Sequence, residues 1–117
     1  MGNPVVWFEI GCKHKDKTSA FYGKLFGWST QPYHGAAVID TGSKEGIAGH
    51  ISALGHEPHN YVTIYAQVDD LNRHLKLANE LGARTLVPPT EVPGMGSFAW
   101  FADPEGNTVG LWKPAAQ

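Results

Sequence analysis

One order of secondary elements, a strand, a helix and then three strands, can be traced twice along these 117 residues. Few folds satisfy such an order. Val5 to Cys12 alternates in character and reads as a strand, with Phe8 and Ile10 on one face and Trp7 and Glu9 on the other. Asp16 is expected to cap a helix carrying Phe21 and Leu25 at i, i+4 spacing, with Tyr22 and Phe26 beside them and Gly27 as its stop. Trp28 to Tyr33, Ala36 to Thr41 and Gly46 to Leu54 read as three strands. The polar stretch 55–60, with Gly55 and Pro58, is expected to link the halves. Tyr61 to Val68 then opens the second round. Asp69 or Asp70 caps a helix whose apolar stripe is Leu71, Leu75, Ala78 and Leu81, and Gly82 ends it. Arg84 to Val87, Ser97 to Ala102 and Asn107 to Trp112 complete the strands. Pro88, Pro89, Pro93, Gly94 and Gly96 read as a stiff loop, and Asp103-Pro104-Glu105-Gly106 as a type I turn.

This order predicts one α+β domain over residues 1–117, built of two βαβββ modules at about 4–54 and 60–113. Each helix covers one face of its strands, so the helices lie on the outer face of a curved mixed sheet. The other face surrounds an open cleft and carries Trp7, Glu9, Thr63, Tyr65 and Gln67. Thirteen aromatic residues exceed what one small core needs, so some are expected to line that cleft. A net charge of −2 without a basic stripe argues against a nucleic-acid partner. No apolar run approaches the roughly 20 residues that cross a bilayer. Cys12 is the one cysteine, so no internal disulfide forms, and with no evident secretory signal a cytoplasmic location is expected. Cys12 itself reads as a small buried apolar residue.

Several stretches carry a family likeness: Trp7-Phe8-Glu9-Ile10, Ala20-Phe21-Tyr22 through Leu25-Phe26-Gly27-Trp28, Val68-Asp69-Asp70-Leu71, Leu81-Gly82-Ala83, and above all Phe101-Ala102-Asp103-Pro104-Glu105-Gly106-Asn107. Across essentially its whole length the chain resembles the vicinal oxygen chelate superfamily, also called the glyoxalase/bleomycin resistance/dioxygenase superfamily. The resemblance implies a small-molecule site in the cleft and pairing of chains as homodimers. It implies no single reaction, because the superfamily spans isomerases, epimerases, dioxygenases, antibiotic-modifying enzymes and non-catalytic binders. Metal-using members place His, Glu or Gln at one position on each of four strands. Those positions fall here on Trp7, Thr63, Gly110 and the Ala48–His50 region, where His50 alone is a ligand type. No metal site is therefore expected and no cofactor, with a divalent metal as the alternative.

The candidate catalytic residues are Glu9 and His50. Glu9 alternates onto the cleft side, where it suits a general base or a ligand anchor; the plainer alternative is a paired scaffold carboxylate. His50 shares a face with Ala48 and Ser52 and suits a proton shuttle or a ligand contact; the plainer alternative is a sheet histidine satisfied by the backbone. Trp7, Tyr65, Trp100 and Trp112 are expected to give the ligand apolar contact, while Glu9, His50, Thr63 and Gln67 orient it. Trp28 is expected to pack between layers. His56 and His59 sit at metal-pair spacing, but Gly55 and Pro58 oppose a helix there, and only Glu57 joins them. The Gly94-Met95-Gly96 stretch is read either as a lid or as a plain connector. The favoured function is a small-molecule binding protein of the glyoxalase/bleomycin resistance type. The alternative is a lyase, isomerase or dioxygenase-like enzyme that uses Glu9 and His50 as base or as an altered metal ligand set.

Overall fold

A computed structural model describes residues 2–53 and 59–116. Two helices and eight strands follow the expected order: β1 (Val5–Gly11), α1 (Lys15–Phe26), β2 (Ser29–Tyr33), β3 (Ala36–Asp40), β4 (Ala48–Ser52), β5 (Tyr61–Gln67), α2 (Leu71–Glu80), β6 (Arg84–Val92), β7 (Gly96–Ala102) and β8 (Thr108–Pro114). The class is α+β, with parallel and antiparallel strand pairs together. Contacts gather the chain into two compact units, Trp7–Thr63, and Ile64–Gln117 with Met1–Val6. Most of the linker stretch, with His56 and Glu57, lies outside the described residues.

In Trp7–Thr63 the strand order is β2-β3-β4-β1, with β1 and β4 parallel and the other pairs antiparallel. Ile10, Cys12, Ala37, Ile39 and Ile51 form its buried core, and Phe8, Tyr22, Trp28 and Ala53 pack against them. The expected buried Cys12 and the packing role of Trp28 both hold. Helix α1 departs from expectation at both its start and its inner face. His14 occupies the cap position, and Asp16 stands in the first turn, where its charge complements the helix dipole. Phe21 and Leu25 are more than half exposed, and Tyr22 is the side chain turned to the core. The i, i+4 spacing marked an apolar stripe correctly but on the wrong side, because aromatic residues stand on both sides of this helix. Gly27 ends α1 at φ 73, donating its N–H to the Gly23 carbonyl at 2.9 Å.

In the second unit β5-β8-β7-β6 is the order, with β5 and β8 parallel. Val68, Leu71, Leu75, Ala99 and Leu111 form the core under α2. Asp70 is the N-cap, its carboxylate accepting the Arg73 N–H at 3.1 Å. Leu81, expected in the buried stripe, is largely exposed, because α2 ends at Glu80 and Leu81 has already left the helical path. The proline-rich stretch is a strand, not a loop. Strand β6 runs through Pro88 and Pro89 to Val92, with register shifts on either side of Val87. Proline is tolerated there because β6 is an edge strand, where a missing N–H breaks no second ladder. Gly94-Met95-Gly96 closes the β6–β7 hairpin. Met95 donates its N–H to Val92 and accepts from Ala115, both at 2.9 Å, so the main chain of the turn is tied to both these neighbours. The Asp103 turn forms as expected: its carboxylate accepts the Glu105 and Asn107 N–H groups and the Asn107 amide, which holds it below the usual aspartate range.

Candidate functional site

Phe8 and Ile10 on β1, and Cys12 just after it, turn toward the α1 core, so Trp7, Glu9 and Gly11 turn away from it. Register then sets their neighbours: Trp7 lies opposite Ala48, Glu9 opposite His50, and Gly11 opposite Ser52. The result is a hydrogen-bonded series. The Trp7 indole donates to Nδ1 of His50 at 2.6 Å, and Nε2 of His50 meets Glu9 Oε1 at 3.2 Å. Tyr61 donates its phenol O–H to the other Glu9 oxygen. Glu9 is buried and His50 half-buried. Burial first, then the Glu9 carboxylate as hydrogen-bond and charge partner, pushes the Tyr61 phenol far above its ordinary 10.0. The phenol therefore stays a donor.

Tyr61 is the residue that sequence reasoning missed. Its ring fits because position 11 is glycine: a Cβ there would stand 2.0 Å from Tyr61 Cε2. The signal was present in the i, i+2 series Tyr61, Thr63, Tyr65, Gln67 along β5, whose first member was left out. Thr63 lies on this series and is buried.

The helix-free face of the second unit gathers the other expected residues. Tyr65 and Trp100 both lie opposite Gly110, and Gln67 and Phe98 both lie opposite Trp112. The Trp100 indole donates to the Tyr65 hydroxyl at 2.8 Å, and the Phe98 ring meets Tyr65 edge-on at 6.5 Å. A Cβ at Gly110 would stand 2.4 Å from the Tyr65 ring, so that ring fills the space a longer side chain at 110 would need. Tyr65 and Trp100 are buried, whereas Gln67 and Trp112 stay half-buried. Of the aromatics expected to meet a ligand, Trp7 and Trp112 are thus the accessible ones within their own units.

No group of three or more His, Cys, Asp and Glu side chains able to hold a metal occurs among the described residues. Nor do the residues fit the metal the superfamily commonly uses. Trp7 and Gly110 offer no ligand atom, Thr63 is a poor one, and both ring nitrogens of His50 are engaged, one by Trp7 and one by Glu9. A wide-open surface hollow of about 510 Å³ lies beside His14–Lys17 and holds none of these residues. No described helix is long and apolar enough to cross a membrane.

The family model for the glyoxalase-like domain matches residues 6–112. The anthracycline biosynthesis protein DnrV of Streptomyces peucetius is 29% identical over 92% of this chain and 46% of its own length. A putative glyoxylase, CFP32 of Mycobacterium bovis, is 27% identical over 97% of this chain and 45% of its own. The chain thus spans about half the length of the curated relatives it matches. Among solved structures, a glyoxalase/bleomycin resistance protein/dioxygenase superfamily member from Vibrio splendidus aligns with TM-score 0.64 and 13% identity, over 97% of this chain and all of that one. Methylmalonyl-CoA epimerase from Mycobacterium tuberculosis aligns with TM-score 0.64 and 14% identity, over 96% and 88%. Taken with the twice-run βαβββ order and the Asp103–Asn107 turn, the match places this chain in the glyoxalase-like domain family of the vicinal oxygen chelate superfamily.

Proposed function

We propose that this protein binds a small, flat, largely apolar molecule without a metal ion. The observation that carries the reading is the state of the polar groups beside Trp7. Glu9 and His50, the two ligand-type side chains on that face, are spent on each other and on Trp7 and Tyr61. The half-buried Trp7 ring is then the group left to meet a ligand, by stacking. A second aromatic face, with a half-buried Trp112 beside Gly110 in register and a buried Tyr65 and Trp100 opposite Gly110, gives the other unit the same character. Names among the relatives, an anthracycline biosynthesis protein and a putative glyoxylase, agree with a small organic ligand.

The test is titration with 1,4-dihydroxyanthraquinone followed by tryptophan fluorescence, beside elemental analysis of the purified protein. Saturable quenching that weakens in Trp7→Ala, with no stoichiometric metal, is the expected result. About one zinc, nickel, manganese or iron per chain sinks the metal-free reading and turns attention to Glu9 and His50. A homodimer in the cytoplasm belongs to the same proposal, the dimer supported by the exposed Phe21, Leu25 and Phe26 of α1. A monomeric mass by light scattering at micromolar concentration contradicts it.

The His50 Nε2–Glu9 contact favours a second reading, a lyase or isomerase in which Glu9 takes a proton and His50 steadies the carboxylate. It predicts turnover lost in Glu9→Gln with ligand binding retained.

A further inference from the structure

We propose that the series Trp7–His50–Glu9–Tyr61 is a positioning device. It holds the Trp7 indole as a fixed plate and so selects planar, uncharged or cationic aromatic ligands. The ligand half of this inference rests on the stacking role given to Trp7 above; the device itself does not.

The direction of both bonds at His50 follows from one group. An indole N–H can only donate, so Nδ1 of His50, 2.6 Å away, must carry a free lone pair. The ring proton then sits on Nε2, facing Glu9 Oε1 at 3.2 Å. Tyr61 donates to the second oxygen, so Glu9 accepts from a donor on each side. One histidine tautomer satisfies all of these contacts, so Trp7, His50, Glu9 and Tyr61 fix each other's orientation. The series joins β1, β4 and β5 and anchors in a buried carboxylate. The stacking ring is therefore ordered before any ligand arrives, which lowers the entropy cost of binding.

The same bonds decide what the plate offers. The one donor of Trp7 is spent on His50, and both nitrogens of His50 are spent, so each presents a ring rather than a hydrogen bond. A ligand that took the indole N–H would leave Nδ1 of a half-buried imidazole unpaired. Strands β1, β2, β3 and β4 carry no Lys or Arg, so they offer an anionic ligand beside Trp7 no lysine or arginine to pair with.

The experiment begins with ligand-free protein labelled with 15N at Trp and His. The Trp7 indole resonance, identified by its absence in Trp7→Phe, should show the shift and slow exchange of a hydrogen-bonded N–H, and His50 should be the Nε2–H tautomer. His50→Gln supplies one acceptor and one donor in place of the two ring nitrogens and should keep the Trp7 signature; His50→Leu should lose it. Binding of 1,4-dihydroxyanthraquinone should follow the same order, near wild-type for Gln and weakened for Leu. An Nδ1–H tautomer, or an unchanged Trp7 resonance in His50→Leu, overturns the device. An intact signature in wild type with undiminished binding by His50→Leu overturns its positioning role. Binding of anthraquinone-2-sulfonate as tight as that of the neutral compound overturns the ligand class. Absence of any binding, with the signature intact, overturns the stacking function and leaves the device standing.

Discussion

The two halves of the chain repeat one order of elements and use it differently. In Trp7–Thr63 the helix-free face is polar and bonded in series, and α1 on the other side has no buried residue. In Ile64–Gln117 the helix-free face is aromatic and collapsed around Gly110, and α2 buries Leu71 and Leu75. The first half places ionisable groups beside the Trp7 ring, and its helix packs on the core through the half-buried Tyr22. The second half gives the same positions to ring packing. A module can thus hold its topology while its inner face changes from hydrogen-bonded to stacked, because β-strand alternation separates the two faces.

The largest effect should come from forcing the second half to carry a polar inner residue. Gly110→Glu would put a ligand-type side chain at a position that the family resemblance assigns to a metal ligand. Its Cβ would stand 2.4 Å from the Tyr65 ring, and its carboxylate would enter an aromatic, buried setting. Overpacking and an unpaired buried charge add, so a loss of about 4 kcal/mol or more, or failure to fold, is expected by chemical denaturation. A stable Gly110→Glu protein that binds a divalent ion would show that Tyr65 does not own that space.

Next is the contrast between neighbours on β1. Phe8 packs on the core, with Trp28 at 5.7 Å, so Phe8→Ala should cost roughly 3 kcal/mol of folding stability with or without ligand. Trp7→Ala should cost less, about 1 kcal/mol, but weaken anthraquinone binding by about 1–3 kcal/mol. Reversal of the two would mean that β1 is inverted, and Glu9 would leave the site with Trp7.

A smaller and pH-specific effect belongs to Tyr61. Its folded-state pKa is raised, so its contribution to stability is full below the unfolded value of 10.0 and is lost as pH rises beyond it. The alkaline limb of the stability profile should therefore be shallower in Tyr61→Phe than in wild type. Parallel profiles would show that burial and Glu9 together do not raise the Tyr61 phenol.

Much of this comparison was legible in the sequence, and the exceptions have physical causes. Alternation placed Trp7 and Glu9 opposite Phe8 and Ile10, and Asp103, Pro104 and Gly106 announced their turn by residue type. The fold was legible because period and turn chemistry are local signals. Strand β6 was hidden because Pro88 and Pro89 argue against a strand unless the strand is an edge, and edge position is set by pairing partners far away in sequence. Tyr61 was hidden for a similar reason, since its meaning depends on Gly11, fifty residues earlier. The burial of Tyr65 and Trp100 depends on a ring filling the space above Gly110, which no spacing rule conveys.

The smallest effect concerns α1. Phe21 is 58% and Leu25 56% exposed, while Leu75 of α2 is buried. The homodimer proposed above leads one to expect a Phe21→Ser loss of about 1 kcal/mol or more, against about 2–5 kcal/mol for Leu75→Ala; were α1 to face only water, the change would stay within about 0.5 kcal/mol. The measurement is chemical denaturation of both variants at two protein concentrations tenfold apart. A Phe21→Ser loss above about 1 kcal/mol that grows with concentration would mean that another molecule covers α1, because only an associating surface couples stability to concentration. The contrast between the helices would then be one of partner rather than of packing: α2 would bury its leucines within its own unit, and α1 its aromatics against a second chain.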